Sequence, residues 1–163
     1  MSTMEEYAKQ PLADRLKRLE RTADELAAAI RGQSAAALTR RPDEKNWAAV
    51  EIVCHLRDTE EGFAGRFQMI VAMDDPKLFP PEPDRWAAER QYLRNEAGEA
   101  LAAFRSRRKD ALDILGKLTP EQWKRGGIHP ARGKITIDDF LTLMCWHDDN
   151  HLDQLRRALE GKA

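Results

Sequence analysis

Two of the four histidines in this 163-residue chain, His147 and His151, lie four residues apart in a segment that favours a helix. Four residues are just over one helical turn, so both imidazoles leave the same face. Neutral imidazole is a good ligand for zinc, nickel, copper and iron(II), and the spacing therefore fits a metal site. A pair alone is weak evidence, and the hypothesis needs a third ligand.

His55 is the candidate third ligand, because it interrupts the inward apolar stripe of another predicted helix. If the two helices face each other, three imidazoles converge and leave at least one coordination position for water or substrate. A bound ion there could polarise a substrate oxygen or sulfur, or bring the pKa of a water molecule near 7. A lone inward histidine is more often a hydrogen-bonded core residue. Three imidazoles buried together lose solvation unless something binds them, so we predict a metal site formed by His55, His147 and His151.

Carboxylates near these histidines are secondary candidates. Asp58 follows His55 by three residues on the same helical face. It could accept a hydrogen bond from a ligand imidazole or orient a water molecule, and it could equally be a solvated surface carboxylate. Glu51 and Asp148 are weaker candidates. Two further carboxylates are expected to face water: Asp149 and Asp153.

The remaining histidine and the cysteines are not expected to bind the metal. His129 lies in a predicted turn, outside the helical stripes. Cys54 and Cys145 belong to no C-x-x-C motif, and we expect them to be buried packing residues of a reduced, cytoplasmic protein. The four tryptophans are expected to wedge helix ends together, and Trp146 could also line a pocket.

The composition predicts one globular domain, residues 1–163, that needs no metal merely to fold. Its 27 basic and 28 acidic residues are interspersed, which argues against a nucleic-acid or anionic-membrane surface. The acidic N-terminal segment lacks the pattern of a signal peptide. The longest apolar run, Phe140 to Trp146, is far below bilayer length.

Apolar residues recurring at intervals of three and four predict four long helices, and hence an all-α four-helix bundle. We predict them over 11–30, 47–73, 84–118 and from 136 onward, with a short extra turn at 119–123. Asn46 is a possible cap of the second helix, Gly98 a possible bend in the third, and Thr136 with Asp139 a capping box for the fourth. The segment 74–83 holds four of the eight prolines and should lean over a bundle end. No alternating pattern suggests a sheet.

Several of these motifs together resemble the DinB/YfiT-like superfamily, whose members are regarded as metalloenzymes. They are Trp47 with Glu51 to Leu56, Gly133 to Asp139, and Trp146 to Leu155. The resemblance implies an antiparallel bundle with long crossover connections, often a homodimer, that holds nickel or zinc through residues matching His55, His147 and His151. Some members of this superfamily are transferases and isomerases that use bacterial low-molecular-weight thiols. The resemblance does not imply DNA binding.

Three functions remain open from the sequence. The first is a divalent-metal-dependent enzyme, a transferase or hydrolase, that transfers a thiol to a small-molecule substrate or hydrolyses it. The second is a non-catalytic module that binds a metal or small ligand. The third is a metal-free helical interaction protein. The resemblance and the three histidines favour the first.

Overall fold

The computed structural model describes residues 1–163 as a helical protein with one small hairpin. The elements in chain order are α1 (Met4–Ala8), α2 (Leu12–Ile30), α3 (Ala35–Thr39), α4 (Ala49–Ala72), α5 (Pro83–Glu89), α6 (Ala97–Gly116), α7 (Pro120–Trp123), β1 (Gly126–His129), β2 (Gly133–Thr136) and α8 (Ile137–Leu159). A 3-10 turn, Tyr92–Arg94, separates α5 from α6. None of the helices combines the length and the apolar character that a membrane span requires.

The long helices α2, α4, α6 and α8 form the predicted four-helix bundle. Helices α2 and α4 each pack against both α6 and α8, so α2 lies diagonally opposite α4, and α6 lies diagonally opposite α8. Contacts between α2 and α8 advance together along the two helices, from Arg15 with Thr142 to Thr22 with Asp148, and these helices are therefore parallel. Contacts between α4 and α8 run in opposite directions. The bundle thus consists of two parallel pairs, α2 with α8 and α4 with α6, that are antiparallel to each other and joined by long crossovers.

The core has two apolar clusters separated by a polar layer. One cluster includes Leu26, Ile52, Phe104 and Leu155, and the other includes Phe67, Leu115, Phe140 and Met144. Each long helix contributes buried polar side chains between the two clusters. The layer consists of Thr22, His55, Thr59, Glu60, Arg108, His147 and Asp148. The candidate histidines therefore share the middle of the bundle with a group of buried charges.

Arg108 is the centre of that group of charges and is only 3% exposed. Its guanidinium donates to both oxygens of Glu60, at 2.7 and 2.9 Å, and to both oxygens of Asp148, at 2.7 and 3.1 Å. It also donates to the backbone oxygen of Leu19 at 2.9 Å, and the Thr22 hydroxyl donates to Asp148. Burial lowers the pKa of Arg108, but Asp148 and Glu60 more than offset this and hold it above its ordinary value. One side chain thus ties all four long helices together.

The predicted third helix is broken, which corrects the expectation of one helix over 84–118. Helix α5 ends at Glu89, and Gln91 takes a left-handed backbone conformation with φ of 49° before the 3-10 turn. Gly98 lies in the first turn of α6, where the Glu96 carboxylate accepts its N–H, and makes no bend. A residue with a left-handed backbone conformation cannot be part of a right-handed helix. Gln91 therefore ends the helix, although the apolar spacing continues beyond it.

The cap of α4 also differs from the prediction. The Asn46 amide donates to the Asp43 carboxylate and does not reach the helix. Glu51, in the first turn, accepts the backbone N–H of Ala48 at 3.0 Å. By contrast, the capping box predicted for α8 is present, with Thr136 accepting the Asp139 N–H and Asp139 accepting the Thr136 N–H.

The antiparallel hairpin of β1 and β2 was not predicted. Its strands have four residues each and pair from Gly126 with Thr136 to His129 with Gly133. A side chain at Gly126 would place its Cβ 2.4 Å from the Ile135 oxygen, so only glycine allows this approach. The hairpin also bonds the proline-rich loop: Leu78 N donates to Ile128 O at 2.9 Å, and Ile128 N donates to Pro76 O at 2.8 Å. These bonds fix the loop over the bundle end.

Candidate metal centre

The three predicted histidines converge in the polar layer. The Nε2 atoms of His55 and His147 are 3.1 Å apart, and the three ring centroids are separated by 4.3 to 5.2 Å. One ring nitrogen from each of His55, His147 and His151 lies within 4.8 Å of the other two. Zinc–nitrogen bonds are about 2.0–2.1 Å long, so ligands of a tetrahedral ion lie about 3.4 Å apart. Small side-chain rotations would bring this set to that spacing.

Helix geometry explains the convergence. His147 and His151 are one turn apart on α8, and α4 runs antiparallel beside it, carrying His55 on the facing side. The α8 backbone is anchored at this level because Asp148, the neighbour of His147, is held by Arg108. The network of charges and the histidine cluster are thus two halves of one layer.

Two neighbouring polar side chains orient the imidazoles. The Nδ1–H of His151 donates to Gln154 Oε1 at 2.8 Å, which leaves the Nε2 lone pair free. The Thr59 hydroxyl donates to the His55 backbone oxygen at 2.6 Å and lies 3.4 Å from His55 Nδ1. Neither residue was assigned a role from the sequence. Their spacings of three and four from a histidine could have indicated them, since residues so spaced share a helical face.

The cluster is electrostatically suited to a cation. Burial, followed by the proximity of His151, lowers the pKa of His55 from 6.5 to about 3. Burial is also the main reason that the pKa of His147 is well below its ordinary value and that the pKa of His151 is lowered. All three rings are therefore neutral near pH 7, and their nitrogen lone pairs are available to a metal ion.

A cavity of about 270 Å³ opens above His55 and His147. Its inner wall is formed by Phe63, Phe140 and Leu78, and the proline-rich loop and the hairpin form its rim. The loop therefore leans over the bundle end as predicted. Trp146, considered as a pocket residue, does not line this cavity, whereas the Trp47 ring packs 5.0 Å from the ring of His55.

His129 lines the cavity but lies outside the three-histidine cluster. Its Nδ1 accepts the backbone N–H groups of Ala131 and Arg132 at 3.0 and 3.1 Å. The proton of the neutral ring is therefore on Nε2. These bonds shape the hairpin turn at the cavity rim.

The secondary carboxylate candidates do not reach the histidines. Asp58 is bound by Tyr92, which donates at 2.6 Å, and by three arginines: Arg57, Arg90 and Arg107. Glu51 pairs with Arg41 on both oxygens at 2.7 Å, and Asp148 belongs to the Arg108 network. These carboxylates therefore stabilise the fold and do not contact the imidazoles.

The predictions for the other acidic residues and the cysteines had mixed outcomes. Asp149 does not face water, because it accepts hydrogen bonds from Tyr7 at 2.6 Å and Arg18 at 2.9 Å. Asp153 is exposed and pairs with Arg157, as expected. The two cysteines are buried, and burial raises the pKa of Cys54 to about 11 and that of Cys145 to about 12. Both thiols are therefore protonated at neutral pH.

Asp58 should contribute to the loss of folding stability at low pH. Burial alone raises its pKa, but hydrogen bonds from Arg57, Tyr92 and Arg90 hold the pKa well below its ordinary value. A carboxyl group with a lowered folded-state pKa contributes stability above its unfolded pKa of about 3.9, and this is lost as pH falls below that value. We expect Asp58→Asn to lower the free energy of unfolding at pH 7. The difference in this free energy between the variant and the wild type should become smaller as the pH falls from about 5 to about 2. Urea unfolding at several pH values measures this.

Asp153→Asn is the matched control for that experiment, because Asp153 is an exposed carboxylate paired with one arginine. Its free energy of unfolding should follow the wild type within about 0.5 kcal/mol at each pH. Stability curves for Asp58→Asn and wild type that stay parallel down to pH 2 would contradict the role given to Asp58.

Two bacterial proteins are similar to this chain in sequence. YfiT of Bacillus subtilis is 26% identical over 107 residues, which cover 65% of this chain and 60% of YfiT. OB0413 of Oceanobacillus iheyensis is 21% identical over 149 residues, covering 91% of this chain and 85% of that protein. Both relatives bear the provisional name of metal-dependent hydrolase.

Solved structures share the fold, and a family model identifies the family. The structure of YfiT, described as a probable metal-dependent hydrolase with an unusual four-helix bundle topology, matches with a TM-score of 0.85, 21% identity and coverage of 100% of this chain and 92% of YfiT. A mycothiol-dependent maleylpyruvate isomerase matches with a TM-score of 0.72 and 12% identity over 95% of this chain and 63% of the isomerase. The model of the DinB superfamily matches residues 18–155, a span that includes all three clustered histidines. The chain belongs to the DinB superfamily.

Proposed function

We propose that this protein is a metal-dependent hydrolase of small molecules, with one divalent ion held by His55, His147 and His151. The observation that carries the proposal is the convergence of three neutral imidazoles, two of which border an apolar cavity. The provisional names of the relatives support the same chemistry. Three nitrogen ligands leave room for a substrate or water, as a catalytic site requires.

The protein side chains around the cluster have separable roles. A divalent ion, when bound, supplies a Lewis acid and a source of hydroxide at neutral pH. Gln154 fixes the His151 ring through Nδ1, and Thr59 lies beside His55 Nδ1. Phe63 and Phe140 limit the access of bulk water and give the substrate an apolar wall.

We infer nickel or zinc as the ion, because both accept an all-imidazole ligand set and because the resemblance to the DinB/YfiT-like superfamily implies one of these two. Transfer of a low-molecular-weight thiol to the substrate is the alternative reaction, and a non-catalytic binding module is the alternative function. Assembly as a homodimer, a cytoplasmic location and a lack of nucleic-acid binding stay predictions. Light scattering of the purified protein tests the first of them.

Metal analysis of protein purified without a histidine tag tests the proposed function. We expect close to one nickel or zinc ion per chain, hydrolysis of one member of an ester and amide panel, loss of that activity with a chelator, and its return with the metal. His151→Ala should lose both metal and turnover, because two imidazoles remain of the three. His129→Ala, which removes a histidine from the same cavity but not from the cluster, should keep its metal.

The outcomes of this experiment separate the alternatives. Metal-free protein, or turnover that persists in His151→Ala, would contradict the proposed site. Turnover only after addition of a thiol would identify the transferase alternative. Bound metal without turnover on esters, amides or thiol acceptors would favour the binding module.

A further inference from the structure

The charged residues that line the cavity are all positive. Fourteen residues line the cavity, and they include two arginines, Arg66 and Arg132, but no aspartate or glutamate. Neither arginine forms a salt bridge, although the protein has twenty such pairs. Each of its other half-buried arginines pairs with a carboxylate: Arg57, Arg107, Arg125 and Arg157. Two uncompensated positive charges therefore face the space where a substrate would bind.

Arg66 is the more informative of the two because it is half-buried. Its Nη2 donates to the backbone oxygen of Phe79 at 3.1 Å, and its guanidinium lies 5.7 Å from the centre of the Phe63 ring. An arginine has five N–H donors, so this single bond leaves most of them free. Burial lowers the pKa of Arg66, and no neighbouring acid opposes that effect. A half-buried cation without a carboxylate has much to gain from an anionic ligand.

The position of Arg66 relative to the histidines defines the shape of that ligand. His55, Thr59, Phe63 and Arg66 follow one another along one face of α4, and all four line the cavity. Arg66 follows His55 by eleven positions of helix, a rise of about 16 Å, and helical side chains lean back toward the N-terminus. Phe63 lies between the two ends. The cavity therefore offers a polar end at the histidines, an aromatic wall and a cationic end.

We propose that the substrate carries an anionic group, a carboxylate or a phosphate, that binds Arg66 while its reacting bond lies over the three histidines. The position of the reacting bond over the histidines rests on the proposed function, whereas the binding of an anion by Arg66 does not. The planar fork of an arginine pairs with two oxygens of either anion, which sets orientation as well as affinity. Arg132, exposed at the rim, adds a second positive charge at the cavity entrance.

Ligand titration of the full chain tests the proposal with three simple probes. These are 3-phenylpropionate, its neutral amide and 2-phenylethyl phosphate, followed by calorimetry or by NMR of the Arg66 side chain in the presence of a chelator, so that no metal binds the anion. We expect one or both anions to bind about tenfold or more tightly than the amide, the range of one or two charge-assisted hydrogen bonds. The anion that binds more tightly indicates whether the natural substrate carries a carboxylate or a phosphate.

Variants separate an anion site from a structural role of Arg66, which also bonds the Phe79 carbonyl. Arg66→Gln should remove the preference for anions over the amide, and Arg66→Lys should keep part of it. Lys77→Gln removes the same charge from an exposed lysine of the neighbouring loop that does not line the cavity, and it should keep the full preference. The zinc content of all three variants should match the wild type.

Equal binding of anions and amide by the wild type would overturn the proposal, and so would a preference that survives in Arg66→Gln or disappears in Arg66→Lys. These outcomes do not depend on metal. If the protein binds no metal but still prefers anions, the proposed function fails while the anion site stands. If it binds metal and hydrolyses esters without any anion preference, the reverse holds.

Discussion

Arg108→Met is expected to lower the free energy of unfolding by about 3–5 kcal/mol, the usual cost of breaking a buried ion pair from one side. The substitution leaves the carboxylates of Glu60 and Asp148, which are 2% and 1% exposed, without their common partner. Burial already raises the pKa of Glu60 despite the nearby guanidinium. Without Arg108, at least one carboxylate must take up a proton or the helices must separate. Urea unfolding followed by circular dichroism measures the loss.

Two further variants isolate the charge effect. Arg105→Met, one turn earlier on α6, removes an exposed arginine that pairs with exposed Asp24, and it should change stability by no more than about 1 kcal/mol. The triple variant Glu60→Met, Arg108→Met, Asp148→Leu removes all three charges together and should recover most of the loss, because apolar replacements of a complete buried network are often neutral. A single Arg108→Met variant that loses less than about 1 kcal/mol would show that the network is not stabilising.

The same variant connects the fold to the site. Asp148 is adjacent to His147, and its bonds to Arg108 and Thr22 set the position of α8 at this level. A shift of α8 would move His147 and His151 together relative to His55 on α4. We therefore expect Arg108→Met to weaken metal binding as well, whereas the triple variant, with its helices repacked, should regain more stability than metal affinity.

The histidine cluster could be predicted because its information is local. The spacing of His147 and His151 places both rings on one helical face, and the apolar period around His55 places that ring toward the core. Two facing helices in a bundle then bring the rings together. The family motif supplied what periodicity alone could not, namely that α4 and α8 are the helices that face each other.

The buried charges could not be predicted in the same way. Glu60, Arg108 and Asp148 lie among many charged residues on amphipathic helices, and nothing in the local pattern distinguishes a solvated charge from a buried one. Their burial depends on partners 40 to 48 residues away. Asp149 was misassigned for the same reason, since Tyr7 lies 142 residues from it. The sequence does not single out Arg66 either, because only the structure shows that this arginine has no carboxylate partner.

The breaks in the helical pattern have a different physical origin. The hairpin strands are four residues long and contain glycines, too short and too irregular to show alternation. Gln91 ends a helix through its backbone conformation, which a glutamine side chain does not signal. The hairpin forms part of the rim of the cavity, so the rim was less predictable than the histidine cluster.

His147→Leu should abolish metal binding without weakening the metal-free protein. Loss of partners in the outer shell of a metal site costs 10- to 100-fold in affinity, so loss of one of three ligands should cost more than about 100-fold. In the metal-free state the His147 ring faces His55 Nε2 at 3.1 Å and stacks edge-on near Phe63, with desolvation but few hydrogen bonds in return. Leucine fills a similar volume without that cost, and the free energy of unfolding in chelator should stay equal or rise by about 0.5–2 kcal/mol.

Thermal unfolding with chelator and with excess zinc measures both effects at once. Zinc at 100 times its dissociation constant should stabilise the wild type by about 2.7 kcal/mol, because it binds only the folded chain. His147→Leu should show no zinc-dependent shift, whereas the control His129→Leu, altered in the same cavity but outside the cluster, should keep the wild-type shift. A zinc-dependent shift that persists in His147→Leu would exclude His147 as a ligand. A large loss of stability in chelator would instead mean that the imidazole supports the fold, and that the three histidines are not held together for a metal alone.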